Sequence, residues 1–113
     1  MNNDILTTYP VRKCEFINNE GKITVLFKKE KLNFFEKLFS SGWGNKPQKI
    51  DLDEIGSFIW LLCDGTKTVE DIIKMAKNEF SDKIEPADQR VPLFINQMAN
   101  TKLVQLFIKT KSE

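Results

Sequence analysis

The spacing of apolar residues in this chain changes once, near Asp51, and this change constrains the fold more than any other feature. In residues 22–29, before the change, Ile23, Val25 and Phe27 alternate with residues of mixed polarity, which is the period of a half-buried strand. After Asp51 the apolar residues recur every three or four positions, which is the period of an amphipathic helix. The sequence therefore predicts an α+β fold in which strands come first and helices follow.

Three strands are predicted. Residues 13–18 and 22–29 form a hairpin, because the turn between them, Asn-Asn-Glu-Gly, supplies residues that tolerate a positive φ. A third, shorter strand covers residues 48–51, since Pro47 excludes a helix there and Ile50 and Leu52 point the same way if the chain is extended. The three strands are expected to form one antiparallel sheet.

Two helices follow, separated by the sequence DGTKT. The first begins at Asp51, which with Glu54 resembles a capping box, and runs to about Cys63. Gly65 then supplies the left-handed residue with which helices commonly end. It is the only glycine near this turn, so the sequence does not favour a phosphate-binding loop. Thr68, with an aspartate three residues later, opens the second helix.

A third helix is predicted over residues 86–100, and Pro92 disturbs it. Because proline lacks an amide and its ring crowds the preceding turn, we expect either a kink at Pro92 or a helix that begins near Arg90. Residues 103–108 then form a short terminal strand or an extended tail. The predicted order is like a winged helix-turn-helix in which a three-stranded sheet precedes three helices.

The length of 113 residues predicts one domain, at residues 13–108, with tails at residues 1–12 and 109–113. An insert at residues 30–47 separates the second and third predicted strands. Its main apolar residues are Phe34, Phe35, Leu38 and Phe39. Their spacing indicates a short helix that covers the sheet; a surface that docks a partner enzyme or rests on a membrane is the alternative interpretation.

Composition excludes several classes of function. The 17 Lys and Arg residues balance 16 Asp and Glu residues, so no net field draws the chain to nucleic acid or anionic lipid. The chain has no histidine, which removes most zinc sites and every triad that uses one. Cys14 and Cys63 are interpreted as reduced packing thiols. No nucleophile, base and orienting group are suggested together, so we predict a protein that is no enzyme and uses neither metal nor cofactor.

The N-terminal residues MNNDILTTYP lack the charged and apolar regions of a secretory signal. No stretch approaches the roughly 20 apolar residues that are needed to span a bilayer. A cytoplasmic location without a membrane span is therefore expected.

One stretch of the helical half resembles a known family. The sequence IDLDEIGSFIWLLCDGTKTVEDIIKMAKNEF, followed by a predicted helix and LVQLF, is similar to the PqqD family of small peptide chaperones, named for the pyrroloquinoline quinone pathway. The resemblance covers residues 50–107, and its most specific part is the pattern Cys-Asp-Gly-x-x-Thr-Val-x-x-Ile. It implies a sheet of three strands followed by three helices. It also implies a domain without chemistry of its own, which presents the leader of a ribosomally made precursor peptide to a modifying enzyme, often a radical SAM protein.

The resemblance implies a peptide site between the third strand and the third helix, where the leader adds as a further strand. The physics of an edge strand supports this role, because an extended peptide can satisfy its unpaired amides and carbonyls. The residues predicted to bind the peptide are Lys46, Gln48, Lys49 and Ile50 on the strand, and Arg90, Leu93, Phe94 and Gln97 on the helix. Leu93 is the most informative, because it lies off the apolar stripe of its helix. The alternative is that Ile50 and Phe94 belong to the core and that the lysines are only solvated.

A DNA-binding winged helix is the alternative function. Such a domain needs basic residues on its recognition helix and wing to neutralise phosphates. Between Glu85 and Lys102, however, Glu85 and Asp88 cancel the charges of Arg90 and Lys102. The sequence therefore favours peptide binding over DNA binding.

Overall fold

Two antiparallel sheets and three α-helices form the fold that the structure, a computed structural model, describes for residues 3–27 and 48–108. The strands are β1 (Tyr9–Arg12), β2 (Glu15–Asn19), β3 (Lys22–Phe27), β4 (Gln48–Asp51) and β5 (Val104–Phe107), and the helices are α1 (Glu54–Leu62), α2 (Val69–Phe80) and α3 (Ala87–Asn100). Strands β2, β3 and β4 form one sheet in that order, and β1 pairs with β5 in the other. The predicted α+β class, with a three-stranded antiparallel sheet and three helices, is confirmed. The predicted insert at residues 30–47 lies outside the described residues.

The predicted hairpin is formed by β2 and β3, and the third predicted strand is β4. The hairpin turn contains Glu20 with a φ of 57° and Gly21 with a φ of 90°, so the positive φ expected for this turn is present. Strand β4 runs antiparallel to β3, with Ile50 opposite Val25. The alternation of apolar residues therefore predicted both the strands and the face of β3 that is buried.

Strand β1 corrects the assignment of residues 9–12 to a tail. It pairs with β5 on one side, with Tyr9 opposite Phe107. On its other side the carbonyl oxygen of Pro10 accepts a hydrogen bond of 3.0 Å from the Gly65 amide, and the Arg12 amide donates to the Cys63 carbonyl. A proline in a four-residue run argues against a strand. Here it is tolerated because the Pro10 backbone faces the Gly65 side, where it supplies only an acceptor.

The first helix is capped by Asp53, and the prediction that Asp51 caps it is wrong. Asp53 Oδ1 accepts a hydrogen bond of 2.7 Å from the Gly56 amide. Asp51 is the last residue of β4, and its carboxylate accepts a hydrogen bond from the Thr24 hydroxyl. The β3–β4 pairing continues to a bond between the Leu52 amide and the Ile23 carbonyl, so the chain is still extended where the sequence placed the cap.

The second helix has the capping box that was predicted for it. Thr68 Oγ1 accepts a hydrogen bond from the Asp71 amide, and the Asp71 carboxylate accepts one from the Thr68 amide. In the turn before it, the hydroxyl and the amide of Thr66 donate to the Asp64 carboxylate, and these bonds, together with one from Lys67, lower the pKa of the Asp64 carboxyl to about 2. The loop therefore ends one helix and begins the next, as its sequence indicates.

Helix α3 begins at Ala87, so the alternative of a start near Arg90 is wrong. The Ala87 amide donates to the carboxylate of Glu85, and the Arg90 amide donates to the carbonyl of Pro86. The first turn is therefore well satisfied. Pro92 lies inside the helix, where it withholds only the amide that would bond to the Asp88 carbonyl. Asp88 is exposed, so water can hydrate that carbonyl.

The core lies between the three-stranded sheet and the three helices. Trp60 of α1 is fully buried and meets the ring of Phe16 edge to face, with 5.8 Å between the ring centroids. The Arg12 guanidinium lies 5.2 Å from the Phe16 ring centroid and donates to the carbonyls of Trp60 and Leu61 at the end of the helix. A cation at this helix terminus complements the helix dipole. The N-terminal segment therefore fixes α1 in place.

Ser57 joins the sheet to α1 through a buried hydroxyl. Its Oγ accepts a hydrogen bond of 2.9 Å from the Ile23 amide and donates one of 3.3 Å to the Leu52 carbonyl, so the hydroxyl is inserted into the end of the β3–β4 pairing. We expect Ser57→Ala to lower the free energy of unfolding by about 2 kcal/mol, because two buried backbone groups lose their partner. Chemical denaturation measures this loss. A change below about 0.5 kcal/mol would mean that the hydroxyl contributes no more than an ordinary surface side chain.

Gly65 has a φ of 86°, as the helix-ending interpretation predicts. A Cβ at this position would also lie 3.1 Å from Cγ2 of Val11. Gly65→Ala is therefore expected to cost about 1 kcal/mol or more of folding free energy. Urea denaturation of this variant is compared with that of Gly21→Ala, whose added Cβ would meet nothing within 4 Å although its φ is also positive. Equal losses in both variants would assign the whole effect to φ and none to the contact with Val11.

Candidate functional site

The outer edge of β4 has no strand beside it among the described residues. One hydrogen bond shows which backbone groups of β4 face β3. The Leu52 amide donates to the Ile23 carbonyl, so Leu52 and Ile23 form a hydrogen-bonded pair. Because antiparallel pairs alternate, Ile50 bonds to Val25 of β3, whereas Lys49 and Asp51 direct their amides and carbonyls to the free edge. The edge therefore offers hydrogen-bonding groups at every second residue.

A pocket of about 160 Å³ lies where the chain passes from β4 into α1 and meets α3. Its apolar wall consists of Ile55, Ile59, Ile84, Val91 and Phe94. Gly56 forms part of the same wall, and a Cβ there would lie 3.2 Å from the tip of the Phe94 ring. The absence of a side chain at Gly56 therefore lets α3 approach α1 closely. The pocket has the size and lining to receive one apolar side chain.

Two charged residues, Asp53 and Arg90, line the same pocket, and both are exposed. The Arg90 guanidinium donates a hydrogen bond of 3.0 Å to the Lys83 carbonyl, and the Asp53 carboxylate caps α1. Each charge is thus held by the backbone beside the pocket. The lining contains one charge of each sign, so it does not select strongly for an acidic or a basic ligand.

The structure places the predicted strand residues as follows. Lys49 is exposed and lies on the free edge of β4, and Ile50 is half-buried and packs against the core. The backbone of Gln48 is paired opposite Phe27, and Lys46 lies outside the described residues. A core role for Ile50, which was the alternative interpretation, therefore agrees with its packing.

The predicted helix residues lie on two neighbouring faces of α3. Arg90 and Phe94, one turn apart, line the pocket beside α1, and Phe94 is half-buried there. Gln97 is exposed about one turn further along the helix. Leu93 is 58% exposed, so the expectation that it lies outside the core is confirmed. It lines a different groove, however, beside β5, so Leu93 and Phe94 do not share one pocket.

The metal-ligating side chains and the two thiols of the described residues are placed as follows. No group of three or more Cys, Asp or Glu residues in residues 3–27 and 48–108 is placed to hold a metal ion. Burial raises the pKa of the Cys63 thiol to about 12, and this thiol donates to the Ile59 carbonyl. Burial also raises the pKa of Cys14. Neither thiol has the lowered pKa of an activated nucleophile, so both fit the packing role expected for them.

Of the residues that line the pocket, sequence reasoning assigned only Arg90 and Phe94 to the site, and it gave no role at all to Ile84 and Gly56. Ile84 is fully buried in a short 3-10 turn, Ser81–Ile84, that follows α2, and nothing in its local pattern connects it with β4. Gly56 lies in the first turn of α1, where glycine lowers helix propensity. A glycine inside a predicted helix was therefore the one sequence feature that could have indicated this position, because such a glycine often marks a close contact.

Comparison with protein families gives a match that covers most of the chain. The family described as Coenzyme PQQ synthesis protein D (PqqD) matches residues 28–104, a range that contains β4 and the three helices. No curated protein matches the chain, and no solved structure matches it. Among the described residues, no helix is both long and apolar enough to cross a membrane. The description of this family names a protein of coenzyme PQQ synthesis. Since the match covers more than half of the 113 residues, the chain belongs to the PqqD family.

Proposed function

We propose that this protein captures the leader of a ribosomally synthesised precursor peptide by strand addition to β4 and presents it to a modifying enzyme of the radical SAM class. The leader pairs with the outward backbone groups of Lys49 and Asp51. Beyond the end of the strand, one apolar side chain of the leader enters the pocket between α1 and α3. The protein itself contributes binding and orientation rather than chemistry.

The observation that carries this proposal is the adjacency of the free strand edge and the pocket. Asp53, which lines the pocket, is two residues beyond the last residue of β4. An extended chain rises about 3.3 Å per residue, so a peptide beside β4 reaches the pocket within a few residues. Main-chain hydrogen bonds then supply affinity, and the pocket supplies selectivity for one side chain.

In this proposal the predicted residues have different roles in binding the leader. Lys49 contributes through its backbone, and Phe94 contributes an apolar wall. Arg90 and Gln97 lie along the exposed side of α3 and contact the polar parts of the leader. A peptide contact at Leu93 stays a prediction, because this side chain lies on the neighbouring face of α3.

A titration at several salt concentrations tests the proposal against DNA binding. We expect the leader of a short peptide encoded next to this protein to bind with micromolar affinity or better, about −8 kcal/mol. Because the binding uses backbone hydrogen bonds and an apolar side chain, affinity should change by less than about threefold between roughly 50 and 500 mM salt.

Binding to duplex DNA would give a different result. Each neutralised phosphate releases counterions, so affinity for DNA would fall about a thousandfold or more with a similar rise in salt. The described part of α3 carries Asp88 and Arg90, and Asp88 forms an ion pair of 3.3 Å with Lys77. Tight, strongly salt-dependent binding to DNA, without binding to the peptide, would contradict the proposed function.

A further inference from the structure

The pocket between α1 and α3 has a floor that cannot widen. Ile84 and Val91 are fully buried and Ile59 is 2% exposed, so these side chains are held by the core and have no space into which they can retreat. The sides of the pocket differ from its floor, because Ile55 and Phe94 are only half-buried. The size of the pocket is therefore set at its sides, where α1 approaches α3.

Gly56 lies on α1 where this helix faces Phe94 of α3. Its φ is not positive, so the backbone conformation does not require a glycine here. A Cβ on this buried residue would lie 3.2 Å from Cζ of Phe94 and 3.1 Å from Oδ1 of Asp53, which is closer than side chains normally pack. Glycine destabilises a helix relative to alanine. The space beside Phe94, rather than the helix, therefore explains the glycine.

The pocket has room for one large apolar side chain. Its volume is about 160 Å³. An engineered apolar cavity of about 150 Å³ binds one benzene molecule, so a side chain of the size of leucine or phenylalanine fits, whereas the double ring of tryptophan is too large. The floor consists of aliphatic side chains, so a charged side chain would lose its hydration there without gaining a partner.

We propose that Gly56 is a specificity-determining residue, which keeps the pocket wide enough for a leader side chain of the size of leucine or phenylalanine. This inference rests on the proposed function, because the side chain concerned, which we term the anchor, is the apolar side chain of the leader that enters the pocket. The methyl group of Gly56→Ala would occupy space between the two helices and displace the Phe94 ring. Since the floor cannot retreat, the pocket would then accept only smaller anchors, such as valine or alanine.

Isothermal titration with a set of synthetic leaders tests this role of Gly56. The leader of the peptide encoded next to this protein is prepared with alanine, valine or phenylalanine at its anchor, which is the position where alanine costs the most affinity. We expect the parent protein to bind the phenylalanine leader at least about tenfold more tightly than the alanine leader. Gly56→Ala should weaken binding of the phenylalanine leader at least about tenfold and change binding of the other two less than about threefold.

Two further variants separate the size of the pocket from the stability of the fold. Phe94→Leu lacks the ring atom that would meet the new methyl group, so in this background Gly56→Ala should lower affinity for the phenylalanine leader less than about threefold. Gly65→Ala is the matched control, because it adds a methyl group next to Val11, away from the pocket. Measured where it is folded, it should change binding of each leader less than about threefold.

A folded Gly56→Ala variant that binds the three leaders as the parent does, or that weakens all three equally, would overturn the proposal. If Gly56→Ala does not fold, the parent protein supplies the test, because a tryptophan anchor should bind at least about tenfold more weakly than a phenylalanine anchor. Equal binding of these two anchors would overturn the size limit. A protein that binds none of the leaders would contradict the proposed function itself, whereas binding without size selection would contradict only the role of Gly56.

Discussion

Lys49→Pro is expected to weaken leader binding at least about thirtyfold while the protein remains folded. The Lys49 amide points to the free edge of β4, so proline removes a bond to the peptide and not one to β3. The proline ring also occupies the space that the added strand needs. Isothermal titration of the leader into the variant measures the loss.

Lys49→Ala is the matched control for this substitution. It removes the same charged side chain and keeps the amide, so its affinity should stay within about threefold of the parent. Equal losses in Lys49→Pro and Lys49→Ala would mean that the lysine side chain, rather than the strand edge, binds the peptide. Full affinity in a folded Lys49→Pro variant would contradict strand addition at this edge.

Phe94→Ala is expected to weaken leader binding by about 2 kcal/mol, or roughly thirtyfold. Phe94 forms one wall of the small pocket, and Gly56 lines the pocket beside it, so removal of the Phe94 ring opens the pocket and deprives a bound side chain of contacts. Because Phe94 is half-buried, the variant also loses some stability, and binding is measured where denaturation curves show that it is folded.

Two further variants distinguish the pocket from a general effect on α3. Phe94→Leu keeps an apolar wall and should recover most of the affinity. Met75→Ala removes an exposed apolar side chain from α2 and should leave binding unchanged. If Phe94→Ala binds as the parent does, the pocket receives no part of the peptide.

The elements that local patterns specify were predictable from the sequence. The hairpin, β4 and the capping box at Thr68 depend on residues a few positions apart, and each occurs where the pattern indicates. The pairing of β1 with β5 was not predictable in this way. It joins residues that are far apart in the sequence. Pro10 also argues against a strand in the sequence, although the amide it lacks would face the Cys63–Gly65 turn and not β5.

The candidate site was partly predictable. The family pattern indicated the strand and helix that flank it, and Arg90 and Phe94 do line one pocket. The separation of Leu93 from Phe94 could not be seen, because adjacent helix residues point about 100° apart and only tertiary packing decides what each one meets. Likewise, the choice of Asp53 rather than Asp51 as the cap depends on how far the β3–β4 pairing extends.

The most direct test of strand addition is amide hydrogen exchange, read residue by residue in β4 with and without the leader. The amides of Lys49 and Asp51 point to the free edge, whereas the Ile50 amide already faces Val25 of β3. Binding of an added strand should slow exchange at Lys49 and Asp51 at least about tenfold and change Ile50 far less. Unchanged exchange at Lys49 and Asp51 in a saturated complex would contradict the account.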